Sequence, residues 1–157
     1  MISPERPGVH NGTPAAHRES YAECGGKDVL PMPGAPVIAI VDDDEAVRSS
    51  LASLVRSLGY DVRIYGSGVD FLGDGLSPEP ACMIADIQMP LMTGDELQAK
   101  LVQSGRIFPI IFMTAFPTEP VRRRVIAAGA HCYLSKPAGE GEIIRCLEEA
   151  LATHSSR

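Results

Sequence analysis

The sequence lacks the features of a nucleic-acid-binding protein. It contains no tryptophan, and aromatic residues make up only 5% of its 157 residues. The formal net charge is −6, and the longest basic run is the short arginine segment at 122–124. Nucleic-acid binders usually carry a basic stripe, often with aromatic side chains on which bases stack. We therefore expect no nucleic acid among the partners of this protein.

The sequence also lacks the usual marks of metal-thiolate, secreted and membrane proteins. Its four cysteines include no CxxC spacing, so neither a zinc motif nor a redox motif is indicated. Cys82 and Cys132 lie in apolar runs, which is typical of small core residues. The N-terminus has no apolar signal segment, and no run approaches the length of a membrane span. We expect a cytoplasmic protein in a reducing compartment, with no membrane partner.

The first 35 residues differ in composition from the rest of the chain. They contain five prolines and five glycines and show no hydrophobic periodicity. Such a segment cannot bury enough apolar surface to offset the entropy lost on ordering. We predict a disordered tail over residues 1–35, either inert or a docking arm, a folded domain over 36–154 and a short tail over 155–157.

From residue 36 onward, short apolar runs alternate with segments of helical periodicity. The predicted strands are Val37–Val41, Tyr60–Tyr65, Ala81–Ala85, Pro109–Met113 and Cys132–Leu134. The predicted helices are Glu45–Leu58, Val69–Leu72, Asp95–Gln103, Glu119–Ala128 and Gly141–Leu151. This alternation predicts an α/β domain, with a doubly wound parallel sheet covered by helices on both faces.

Polar side chains follow the predicted strands where such sheets form their sites, outside the carboxyl ends of the strands. They are Asp42, Asp43, Asp86, Thr114 and Lys136. Each alone has an ordinary explanation as a helix cap, a turn residue or a solvated lysine, and the next acid, Asp44, is expected to be such a cap. Three converging carboxylates, however, repel one another unless a cation intervenes, and oxygen ligands suit Mg²⁺. An aspartate can form an aspartyl phosphate, which an ammonium and a hydroxyl would stabilise.

Four segments resemble the receiver domain of bacterial response regulators, and the resemblance runs from about Pro36 to Thr153. They are IVDDDEAVR (40–48), ADIQMPLMTG (85–94), IIFMTA (110–115) and GAHCYLSKP (129–137). The triple-acid opening is similar to receivers of the nitrogen-fixation regulator type. The resemblance implies a flavodoxin-like five-stranded parallel sheet of order 2-1-3-4-5 with five helices. It also implies a two-component phosphorelay, with a sensor histidine kinase or histidine phosphotransfer protein as phosphodonor.

The resemblance assigns a role to each site residue. Asp86 matches the phosphoacceptor, Thr114 the switch hydroxyl, Lys136 the phosphate-binding amine and Tyr133 the aromatic rotamer switch. The expected Mg²⁺ ligands, with Mn²⁺ as a substitute, are Asp42, Asp43, Asp86 and the backbone carbonyl of Gln88. Gln88 and Phe116 are expected to set the dephosphorylation rate, with Phe116 excluding water. The Lys136–Pro137 bond is expected to be cis.

The resemblance also implies an output face on the fourth helix, the last strand and the last helix. We expect phosphorylation to promote docking of a downstream protein or dimerisation there, with Arg122–Arg124 and the pair Glu148 and Glu149 facing each other across a two-fold axis. Many receivers carry Phe where Ala138 stands, so we expect looser packing of the last loop. No DNA-binding segment follows Thr153, which predicts a stand-alone or excised receiver.

Two alternatives to a phosphorylated receiver stay open from the residues. A haloacid-dehalogenase-like phosphatase would use Asp42 as nucleophile, but it would need an acidic pair after Lys136 and would leave Asp86 without a role. A receiver-like binding module independent of phosphorylation would not need the acids and the lysine. We expect a signalling switch that assists its own phosphorylation and dephosphorylation and is not otherwise an enzyme.

Overall fold

The computed structural model describes residues 17–18, 34–75 and 79–155 of the chain. The strands are β1 (His17–Arg18), β2 (Val37–Val41), β3 (Asp61–Tyr65), β4 (Cys82–Asp86), β5 (Ile110–Thr114) and β6 (Cys132–Ser135). The helices are α1 (Glu45–Ser57), α2 (Gly68–Asp74), α3 (Gly94–Gln103), α4 (Glu119–Ala127) and α5 (Glu140–Ser155). Every predicted strand and helix is present, with ends displaced by a few residues.

The strands form one sheet in the order β1-β3-β2-β4-β5-β6. The strands β2 to β6 are parallel, and counted from β2 their order is 2-1-3-4-5, which confirms the expected fold class. The short strand β1 adds to β3 in the antiparallel direction. The sequence pattern did not indicate β1, because His17 and Arg18 carry no apolar alternation.

The predicted disordered tail over residues 1–35 falls almost entirely outside the described residues. Of the first 33 residues only His17 and Arg18 are described, and they form a strand. The predicted C-terminal tail begins at Ser155, which the structure assigns to the end of α5. The boundaries of the folded domain stay a prediction.

Two apolar layers cover the two faces of the sheet. Alternate strand residues divide between them, so that Ile38 and Ile40 contact one layer while Ala39 and Val41 contact the other. The first layer is completed by α1 and α5, and the second by α2, α3 and α4. With both faces covered, the carboxyl edge of the strands remains for polar chemistry.

The cysteines are part of this packing. Cys82 and Cys146 are buried, and Cys132 is half-buried with its Sγ atom 2.7 Å from that of Cys146. Burial raises the pKa of the Cys82 and Cys132 thiols to about 12, so both are protonated at neutral pH. Cys82 is a core residue, as predicted, whereas Cys132 is only half-buried and packs against the core. In the described part of the chain, no helix combines the length and apolar character needed to cross a bilayer.

The first residue of α3, Gly94, fixes the distance between this helix and the end of β4. Its N–H donates to the Ile87 carbonyl at 2.8 Å. A Cβ atom at Gly94 would collide with the backbone carbonyl oxygen of Asp86 and lie 3.0 Å from the Ile87 Cα. Because these neighbours are backbone atoms, they cannot move aside without displacing the strand end.

We predict that Gly94→Ala lowers the free energy of unfolding by about 1–3 kcal/mol, the usual cost of overpacking. Urea unfolding followed by circular dichroism measures this change. Gly73→Ala is the matched control, because Gly73 is an exposed helical glycine at which an added Cβ would meet no atom within 4 Å. It should be neutral or stabilise by up to about 1 kcal/mol. Equal effects of the two substitutions would contradict the proposed close packing.

Candidate functional site

The register of the sheet brings the predicted site residues to one edge. Val41 lies opposite Ala85, Asp86 opposite Met113 and Thr114 opposite Ser135. Asp42 follows directly after β2, and Lys136 follows directly after β6. Asp86 and Thr114 are themselves the last residues of β4 and β5. These four side chains thus belong to four neighbouring strands and emerge at the same end of the sheet.

Three carboxylates form the centre of the site. One oxygen from each of Asp42, Asp43 and Asp86 lies within 4.8 Å of the other two. Asp42 and Asp86 are buried, with 2% and 6% of their surface exposed, whereas Asp43 is exposed. Burial, and then the charge of Asp42, raise the pKa of Asp86 against the opposing effect of Lys136. This oxygen-only, mutually repelling set fits a hard divalent cation such as Mg²⁺.

Lys136 is the cation that faces this cluster. Its Nζ atom donates to Asp42 Oδ2 at 2.9 Å and lies 3.4 Å from Asp86 Oδ2. Burial lowers the pKa of Lys136, but the hydrogen bond to Asp42 and the charges of Asp42 and Asp86 outweigh it, so the pKa is raised. The side chain is therefore an ammonium at neutral pH. The Lys136–Pro137 peptide is cis, as the resemblance implied.

Asp42 accepts three separate hydrogen bonds. Besides Lys136, the Asp44 N–H donates to its Oδ1 at 2.9 Å, and Arg48 Nη1 donates to its carbonyl at 2.7 Å. The pattern of residues had not identified Arg48, whose only signal is its place about one helical turn after Asp44. Asp44 itself caps α1, accepting from the N–H groups of Ala46 and Val47. The third acid of the opening is therefore a helix cap, as expected.

Thr114 is fully buried, and both hydrogen-bonding capacities of its hydroxyl are in use. The hydroxyl donates to Gln88 Oε1 at 2.6 Å and accepts from the Phe116 N–H at 3.0 Å. The Gln88 backbone N–H lies 3.3 Å from Asp86 Oδ1. The side-chain contact between Gln88 and Thr114 could not be read from the sequence, because it joins the loop after β4 to the end of β5, and the distance between them has no periodic signal. Phe116 is exposed, with 69% of its surface accessible to solvent.

Tyr133 connects β6 to the start of α4. Its ring is half-buried, and its hydroxyl oxygen accepts from the Thr118 N–H at 3.2 Å and lies 3.5 Å from the Thr118 carbonyl. Thr118 is the N-cap of α4. The tyrosine expected to act as a switch is therefore anchored to the residue at which α4 begins.

Of the five charged residues expected on the output face, the three arginines and Glu149 already have partners within the chain. Arg124 lies 2.8 Å from Asp95, while Arg122 and Arg123 lie 3.5 and 3.7 Å from Glu119. Glu149 lies 3.6 Å from His131. Glu148 is close enough to Tyr60 for its charge to add to the effect of burial in raising the pKa of that phenol. Pairing of these arginines with Glu148 and Glu149 of a second copy would have to replace these contacts.

An apolar groove of about 620 Å³ adjoins the site between α1 and the loop that follows β6. Val47, Leu54 and Ile143 line its apolar wall, and Lys136 lies at its polar end. Ala138 also lines the groove, at the position where looser packing was expected. A small side chain there leaves this space open beside the carboxylates.

Comparisons with known proteins agree on one family. The family described as "Response regulator receiver domain" matches residues 38–148. The response regulator protein TmoT of Ectopseudomonas mendocina is 40% identical over 115 residues, which cover 73% of this chain and 52% of that protein. The chain thus spans about half the length of this relative.

Solved structures give the same result. The response regulator StyR superposes with a TM-score of 0.74 at 34% identity, covering 79% of this chain and 63% of that one. The structure of FixJ-N has a TM-score of 0.69 at 30% identity, covering 77% of this chain and 96% of that one. The family match includes the segment around Asp42, so the haloacid-dehalogenase-like alternative is wrong.

The raised pKa of Asp86 implies that the free energy of unfolding depends on pH. The folded state holds the proton of this carboxyl more tightly than the unfolded state, so its contribution to stability falls as pH rises above the ordinary aspartate value of about 3.9. We predict that Asp86→Asn raises the free energy of unfolding at neutral pH without divalent metal. This gain in stability should shrink as the pH is lowered from neutral towards the ordinary pKa of aspartate.

Urea unfolding at a series of pH values tests this prediction. Added Mg²⁺ is the internal control, because a cation bound by the carboxylates should stabilise the wild type more than Asp86→Asn. Lower stability of Asp86→Asn at neutral pH would show that burial and the charge of Asp42 do not outweigh the attraction of Lys136 for this carboxylate.

Proposed function

The chain belongs to the response regulator receiver family, and from this premise we propose that it is a signalling switch that accepts a phosphoryl group on Asp86. The observation that carries this proposal is the cluster of three carboxylates within 4.8 Å, faced by the ammonium of Lys136. The phosphodonor would be a sensor histidine kinase or a histidine phosphotransfer protein. Apart from assisting the gain and loss of its phosphoryl group, the protein would not act as an enzyme.

In the proposed reaction an Asp86 carboxylate oxygen attacks phosphorus. The bond from phosphorus to the phosphohistidine nitrogen of the donor breaks as the bond to Asp86 forms. Lys136, already 3.4 Å from Asp86 Oδ2, would neutralise charge on the transferred oxygens. The Thr114 hydroxyl would donate a hydrogen bond to one of the phosphoryl oxygens.

The carboxylates of Asp42, Asp43 and Asp86 and the carbonyl of Gln88 would hold Mg²⁺, or Mn²⁺ in its place. The bound ion would supply neutralisation of the phosphoryl charge. Asp42 is suited to a fixed orientation because its carbonyl and both carboxylate oxygens have hydrogen-bond partners. Asp43 is exposed, which leaves it accessible to an ion arriving from solvent.

We infer that the donor protein docks in the apolar groove beside Lys136. Its apolar wall is formed by α1 and α5 and ends at the site, so a donor helix packed there would present its phosphohistidine close to Asp86. The assigned roles of Gln88 and Phe116 in hydrolysis stay predictions, since Phe116 would first have to turn inward to exclude water. Cytoplasmic location and the absence of nucleic-acid and membrane partners also stay predictions.

We predict that acetyl phosphate with Mg²⁺ adds one phosphoryl group to the wild type, measured by intact mass. Asp86→Asn should abolish the addition because the attacking oxygen is lost, and Asp43→Ala because a metal ligand is lost. Asp44→Ala is the matched control: it should be phosphorylated normally while losing about 1 kcal/mol of helix capping. Phosphorylation of Asp86→Asn would refute the assignment, and an unreactive wild type would favour the phosphorylation-independent module.

We propose the face formed by α4, β6 and α5 as the output surface. Beryllofluoride with Mg²⁺, an imitation of the phosphoryl group, should increase the sedimentation coefficient if the active state dimerises. Tyr133→Ala should weaken this association because it removes the ring that is expected to change rotamer on activation. Tyr133→Phe, the control, should retain it. Monomers in both states would exclude the dimer and leave a different protein as the partner.

A further inference from the structure

The contact between Thr114 and Gln88 opposes the step that the proposed function requires of Thr114. A threonine hydroxyl carries one proton and can therefore donate one hydrogen bond. In this structure that proton is directed to Gln88 Oε1 over 2.6 Å. Donation to a phosphoryl group on Asp86 would need the same proton. The two hydrogen bonds exclude each other.

The exposure of Gln88 to solvent makes its contact with Thr114 reversible. It is an exposed residue, so its side-chain amide can exchange Thr114 for water at little cost in solvation. Thr114 is fully buried, so its hydroxyl has to find a partner within the protein or the site. Loss of this hydrogen bond would therefore leave the Thr114 hydroxyl without a partner, whereas it would cost Gln88 little.

Gln88 is also in direct contact with the residue that would be modified. Its backbone N–H lies 3.3 Å from Asp86 Oδ1, and only Ile87 separates the two residues in the chain. A phosphoryl group attached to the Asp86 carboxylate would change the acceptor that this N–H meets. The same residue thus contacts the phosphoacceptor through its backbone and the switch hydroxyl through its side chain.

We propose that Gln88 is a positioning residue that holds Thr114 in the unphosphorylated arrangement until a phosphoryl group competes for its proton. This inference rests on the proposed function and adds a specific opposing contact to it. Release of Thr114 would also remove the acceptor of the Phe116 N–H, which lies 3.0 Å from its Oγ1 atom. The rearrangement would then extend through the loop to Thr118, where α4 begins and Tyr133 is anchored.

Removing the acceptor should favour the active arrangement. Gln88→Leu keeps a similar volume but cannot accept a hydrogen bond. We expect it to lower the beryllofluoride concentration at half saturation, with Mg²⁺ present, by about two- to tenfold, the range for one hydrogen bond of typical net strength. Beryllofluoride binding is an equilibrium, so a changed rate of phosphoryl hydrolysis does not affect the measurement.

The Phe116 amide resonance provides a readout that a purely structural role would not move. In ligand-free Gln88→Leu it should shift from its wild-type position towards its position in the beryllofluoride complex. Gln103→Leu is the matched control, because Gln103 is an exposed glutamine at the end of α3. It should change neither the half-saturating concentration nor the Phe116 resonance.

A double-mutant cycle isolates the contact from any direct effect of the side chain at position 88 on the ligand. In a Thr114→Val background, which lacks the hydroxyl, Gln88→Leu should have no further effect on beryllofluoride affinity. An undiminished effect there, or unchanged or weaker binding by the single variant, would overturn the inference while leaving the proposed function intact. If the wild type fails to bind beryllofluoride, the proposed function is wrong and this inference falls with it.

Discussion

Repulsion among the carboxylates at the end of the sheet is the constraint on which the site depends. Parallel strands in register deliver Asp42 and Asp86 to the same edge, and Asp43 completes a cluster that the single ammonium of Lys136 cannot neutralise. The rest of the fold opposes this repulsion through the two apolar layers on the faces of the sheet. The excess of carboxylates accordingly suits the site to additional positive charge, which a bound cation would supply.

The same edge shows how much of the architecture was accessible from the sequence. Buried strands that end in a polar residue were identifiable because an apolar run is followed directly by an acid at Val41–Asp42 and at Ala85–Asp86. The strand order was implied by the family resemblance alone, since alternation predicts parallel strands but not their arrangement. The role of Asp44 as a cap followed from its position before the helical periodicity of α1.

The side-chain contacts that organise the site could not be predicted, for a physical reason. The hydrogen bonds from Arg48 to Asp42 and from Thr114 to Gln88 depend on side-chain reach and on the local path of the backbone, neither of which repeats along the chain. The neighbours of the arginines on α4 were likewise inaccessible. Charge composition indicated ionic pairing, but it could not distinguish Asp95 and Glu119 within the chain from acidic residues on a second copy.

The short strand β1 has a consequence for the behaviour of the protein at high concentration. It pairs with β3 at Arg63 and Ile64, so part of the backbone at this margin of the sheet already has a hydrogen-bonding partner. Unpaired edge strands are templates on which other chains assemble into aggregates. At the opposite margin, β6 has only four residues, and short strands are poor templates of this kind. Self-association by sheet extension is thereby disfavoured at both edges of the sheet.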